Sequence, residues 1–145
     1  MVVAALVLAL SLAGAPPEGQ ARVQDGEHTT HLRLVSFETE PVRLPRRGVF
    51  TGVEALFRSA EGDRLDLRLS FRGPGSVPAG QVQTFRVDAR RRKTSVTGFD
   101  NGCRLTLSRA SSDRIAGSAW CGKPDAGPPV TITFEARAGA KPGRP

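Results

Sequence analysis

Asp25, Glu27, His28 and His31 stand within seven residues of one another, and they are the residue types that ligate transition metals. In an extended segment, however, His28 and His31 point to opposite sides. Nothing in the sequence fixes a coordination geometry, so the chain is expected to hold no metal. A second set of chemically capable residues is carboxylic: Glu38, Glu40, Glu54 and Asp66. A pair of carboxyl groups can cleave glycosidic bonds, and Glu38 and Glu40 would share one strand face. Seven Phe, one Trp and no Tyr make a poor aromatic cleft for a sugar. No local signature of a nucleophile turn, phosphate loop or zinc helix is present. The sequence therefore names no catalytic residue and no cofactor, and it does not read as an enzyme.

The most conspicuous polar feature is Arg90-Arg91-Arg92-Lys93. With Arg46 and Arg47 it forms a candidate anion-binding set in a chain of formal charge +7. The competing reading is a strand edge protected by charge. No aromatic residues interleave with the basic run, so sequence-specific nucleic-acid recognition is not expected. An anionic envelope polymer or an acidic protein fits better as partner. A small inhibitor presenting the loop 73–80 or 122–129 is the alternative function.

Cys103 and Cys121 are the two cysteines. They lack redox-motif spacing, and an even count in an exported chain points to a disulfide. A hairpin centred near Ser112 would pair Arg109 with Ile115, Leu107 with Gly117, Leu105 with Ala119 and Cys103 with Cys121. Trp120 would then face away from Cys121, either covering the second face of the sheet or stacking on a ligand.

The elements that would position these residues are extended ones. Arg64 to Phe71 alternates strictly, with Leu65, Leu67, Leu69 and Phe71 on one side. Similar runs occupy 31–37, 48–57, 81–88, 94–99, 103–109, 114–121 and 130–138. Breaker-rich turns separate them, and Pro41 and Pro45 are expected to end the first run. The expected fold is all-β: a single-domain antiparallel β-sandwich or flattened barrel of about seven or eight strands with one disulfide hairpin.

The first fifteen residues are apolar or small and carry no charged side chain. They are too few to span a bilayer as a helix and read as an export signal that lacks its usual basic start. Two cuts fit the small-residue pattern, after Ala15 and after Ala21, and Pro16 disfavours the first. The expected division is a signal peptide over 1–21, a β-domain over 22–138 and a disordered basic tail over 139–145. The expected location is periplasmic or secreted, with no membrane span in the mature chain.

Overall fold

Leu65, Leu67, Leu69 and Phe71 are each no more than 2% exposed, while Arg64 and Arg68 on the alternate positions face solvent. The period-two pattern thus sets which side of the chain is buried, and it does so in strand after strand. The computed structural model describes residues 14–76, 84–89, 92–97, 103–121 and 130–140, with side chains at 14–75, 104–120 and 130–140.

Among the described residues ten strands follow in chain order: β1 Glu18–Asp25, β2 His28–Leu44, β3 Gly48–Arg58, β4 Arg64–Phe71, β5 Gly75–Ser76, β6 Thr84–Ala89, β7 Arg92–Thr97, β8 Cys103–Ala110, β9 Arg114–Cys121 and β10 Val130–Arg137. All pair antiparallel in one continuous sheet ordered β5-β8-β9-β10-β1-β2-β3-β4-β6-β7. The all-β expectation holds, but among the described residues the strands form one sheet and not two stacked ones. A single sheet buries a whole face only by curling on itself. Seven strands (β1 to β4 and β8 to β10) do this as a half-barrel whose inner face is one cluster, including Val23, Leu32, Phe57, Leu67, Leu107, Ile115 and Ile132. Among the described residues there is no helix, and so none long and apolar enough to cross a membrane.

β2 joins the two halves. Its first part, to Arg33, pairs with β1; from Arg33 onward it pairs with β3. The register shifts between Leu34 and Ser36, leaving Val35 as an extra, half-exposed residue. Such a bulge bends a strand and increases its local twist. Pro41 does not end the run as expected. It lies inside β2, opposite Thr51, where β1 no longer flanks the strand. A strand edge tolerates a residue with no N–H to donate.

β1 overlaps the expected leader. The expected signal peptide ends at Ala21 and the expected β-domain begins at Arg22, and residues 18–25, which span that boundary, form a central strand between β10 and β2. Ala21 is 3% exposed and lies opposite Phe134 on one side and Leu32 on the other. The expected cut after Ala21 therefore falls within this strand. The small residues that resemble a cleavage site have a packing reason of their own: a β-carbon on Gly19 would come within 2.8 Å of the Ala136 Cα. At the other end, Gly139 and Ala140 are described without regular structure, and 141–145 lie outside the described residues.

Candidate anion-binding face

The outer face of the sheet carries the polar groups, and the backbone register brings them into rows. One row runs Thr106, Ser118, Thr133, Arg22, His31 across β8, β9, β10, β1 and β2. A second runs Ala116, Glu135, Gln20, Arg33, Arg58, Arg64 from β9 to β4. A third carries Arg104, Trp120, Thr131, Gln24 and Thr29. Directly opposed residues of neighbouring strands stand about 4.5–5.5 Å apart and diagonal ones about 7–8 Å. Arg22, His31, Arg33, Arg58 and Arg64 therefore form one contiguous basic patch, although they are scattered over 43 positions of sequence.

The charges in this patch are unevenly compensated. Arg64 is held by Asp66 at 3.1 Å. Among the described residues Arg22, Arg33 and Arg58 have no ion-pair partner. Glu135, the carboxylate in the same rows, accepts a hydrogen bond from Gln20 Nε2 at 3.2 Å. Next to the patch, a shallow cleft of about 610 Å³ is walled by Thr106, Ser108, Ser118, Thr133, Arg22 and His31. Trp120 stands on the same face, 47% exposed.

Four residues along β3 the face changes sign. Glu38 is the cross-strand partner of Glu54, and Glu40 that of Gly52, around a hollow of about 370 Å³. Gly52 makes the hollow possible: a β-carbon there would stand 2.6 Å from Val42 Cγ2. Arg68 pairs with Glu54 at 3.0 Å. The sheet thus gathers three of the four carboxylates singled out in the sequence, while Asp66 stays with Arg64. Acid catalysis of glycoside cleavage calls for one carboxyl in apolar, water-poor surroundings. The Glu54 side chain is instead half-exposed and ion-paired.

The anion-binding set expected from the sequence is divided. Arg46 and Arg47 occupy the β2–β3 turn, where Arg46 has φ 62° and the Arg47 N–H donates to the Leu44 carbonyl at 3.1 Å. The Arg72 guanidinium lies over the Phe50 ring at 4.5 Å and donates to the Arg47 carbonyl. Arg92 and Lys93 open β7, opposite Ala89 and Asp88 of β6, and Asp88 in turn faces Arg64. That is the other end of β3, about 33 Å away at the usual rise of a strand. The backbones of Arg92 and Lys93 are described and their side chains are not; Arg90 and Arg91 lie outside the described residues.

The sequence pointed to a contiguous basic run, whereas the register assembles a patch from single arginines on alternate positions of four strands. Their signal was present as the outward positions of β1 to β4, but only pairing partners show that they converge.

The hairpin register is as expected for Leu107–Gly117, Leu105–Ala119 and Cys103–Cys121, whose backbones lie directly opposite. The pair Arg109–Ile115 does not form. The register shifts after Leu107, so that Arg109 faces Ala116 and Ala110 faces Ile115. Ser108 and Arg109 both point outward, the mark of a bulge, and Ser108 Oγ donates to the Ala116 carbonyl at 3.1 Å. The sulfur atoms lie outside the described residues, as does most of the two loops suspected of presenting an inhibitory segment, apart from 73–76.

Of the metal-ligating residue types near the start of the sequence, Asp25 and His28 close the β1–β2 hairpin opposite each other, and His31 lies on the outer face. Among the described residues no three His, Cys, Asp or Glu side chains gather as a metal site.

No family model matches the chain. No curated protein matches it. Among solved structures it is similar to the crystal structure of Burkholderia cenocepacia BcnA at 13% identity, over 84% of this chain and 96% of that one, with a TM-score of 0.35. At that level the likeness carries neither fold nor function across.

Proposed function

We propose that this is an exported, non-catalytic binding module that takes a polyanionic polymer on the outer face of its curled sheet. The observation that supports the reading is the Arg33–Arg58 cross-strand pair, flanked by Arg22 and without a carboxylate between them. Like charges placed directly opposite cost stability in a sheet. A guanidinium array that keeps its donors free matches carboxylate, sulfate or phosphate groups. A polymer fits better than a single small anion, because the basic row continues over β2, β3 and β4 rather than converging on one point.

Export accompanies this reading, with the leader ending upstream of Glu18 so that β1 stays whole. So does a Cys103–Cys121 disulfide, for which the opposed backbone positions are suited.

Retention on immobilised heparin tests the function. The Arg33→Ser/Arg58→Ser variant should elute at clearly lower salt than the parent, and a variant with 90–93 changed to Ser should elute closer to the parent. Unchanged elution of the Arg33→Ser/Arg58→Ser variant overturns the reading.

A further inference from the structure

We infer that the polymer is an acidic glycan, laid across the strands from β8 to β3 with Trp120 under one of its sugars. The inference rests on the binding function proposed above and narrows its ligand. Three observations combine. The cleft wall is hydroxyl-rich, with Thr106, Ser118 and Thr133 as successive cross-strand partners in one row. Hydroxyls both donate and accept, as sugar hydroxyls do, and the Gln20 amide in the neighbouring row does the same.

The row then turns basic at Arg22, and Arg33 and Arg58 lie next to it, so a chain leaving the hydroxyl section meets guanidinium donors suited to carboxylate or sulfate. Adjacent strands lie about 4.8 Å apart, comparable to the advance per sugar in an extended glycan. Polar groups therefore recur roughly once per sugar along this direction.

Trp120 supplies the third element. It is the single Trp, it is half-exposed on the same face as the hydroxyl row, and its cross-strand neighbours are Arg104 and Thr131. A flat apolar face framed by polar groups suits the C–H face of a sugar ring, whereas polyphosphate offers nothing to stack on it.

The test compares oligogalacturonate, polyphosphate and neutral dextran by titration calorimetry with the full chain. Oligogalacturonate should bind most tightly and dextran should not bind. Trp120→Ala should weaken oligogalacturonate about tenfold, with Trp120→Phe retaining most of the affinity. Ser118→Ala/Thr133→Val should weaken it as well. None of these variants touches the buried face, and unchanged circular dichroism confirms each fold.

Polyphosphate binding as tightly as oligogalacturonate, with Trp120→Ala neutral, overturns the glycan inference while leaving the polyanion module standing. Absence of binding to every polyanion, heparin included, removes both.

Discussion

Arg33 of β2 and Arg58 of β3 are cross-strand partners on the outer face, and four residues further along β3 Glu54 faces Glu38 in the same way. Two like-charged pairs, one of each sign, stand about 13 Å apart on one surface. Exchanging their members would turn both into attractive pairs, so the observed arrangement is not the one that best stabilises the sheet. Arg58→Glu should therefore raise stability slightly, by a few tenths to about 1 kcal/mol, as it creates a cross-strand ion pair with Arg33. The same change should sharply reduce heparin retention. Urea denaturation and salt elution, measured on one preparation, check both signs together.

Binding should also fall steeply with ionic strength, because the arginines that carry it are exposed and screened within about 8–10 Å at ordinary salt. Affinity measured at about 50 mM and 300 mM salt should differ several-fold or more. A salt-independent affinity would mean that the sheet's charges are not what holds the ligand.

The half-barrel depends on its inner face. Leu67 is fully buried at the centre of β4, while Leu56, on the adjacent strand, is partly buried on the outer side. Leu67→Ala should cost about 2–5 kcal/mol, a large part of the 5–15 kcal/mol typical of a domain. Leu56→Ala should cost about 1 kcal/mol or less. Urea midpoints of the two variants give the comparison directly.

The difference between those two leucines also shows what the sequence discloses. Leu65, Leu67, Leu69 and Phe71 alternate with polar residues, so their common buried face is readable from spacing alone, as it is for Val130, Ile132, Phe134 and Ala136. Leu56 breaks the rule locally and needs the sheet to place it. The basic patch was illegible for a related reason: alternation says that Arg33 and Arg58 point outward, but not that they are neighbours. Pairing across strands depends on turn lengths and bulges, here at Val35 and Ser108, and neither bulge carries a distinctive residue. Composition is ambiguous at β1, where Gly19 and Ala21 satisfy both a leader's small-residue pattern and the close packing of a central strand.

That ambiguity is open to measurement. A chain beginning at Arg22 lacks residues 18–21, which pair with Phe134 to Arg137 of β10, and it loses the Glu18–Arg137 ion pair. It should denature at lower urea than a chain beginning at Pro16 and should aggregate more readily, since β10 and β2 would expose unpaired backbone. N-terminal sequencing of exported protein should begin no later than Glu18. Equal stability of the two chains would show that the first half of β1 contributes nothing, and would leave a cut after Ala21 acceptable.

The state of Cys103 and Cys121 reports the compartment in which the chain folds. Their backbone positions are direct partners at the far end of the β8–β9 hairpin from its turn, where Ser111 N–H donates to the Arg114 carbonyl at 2.9 Å. A bond there would tie the open end of the hairpin and limit fraying next to β10, which Cys121 also faces at Val130. In an oxidising compartment the chain should be two hydrogens lighter than its reduced form and should react with no thiol reagent until reduced. Reduction, or Cys103→Ser with Cys121→Ser, should lower stability by up to about 3 kcal/mol, because the loop closed is short. Two freely reacting thiols in protein recovered from outside the cytosol would show that the hairpin holds by its hydrogen bonds and by Leu105, Leu107 and Ile115 alone.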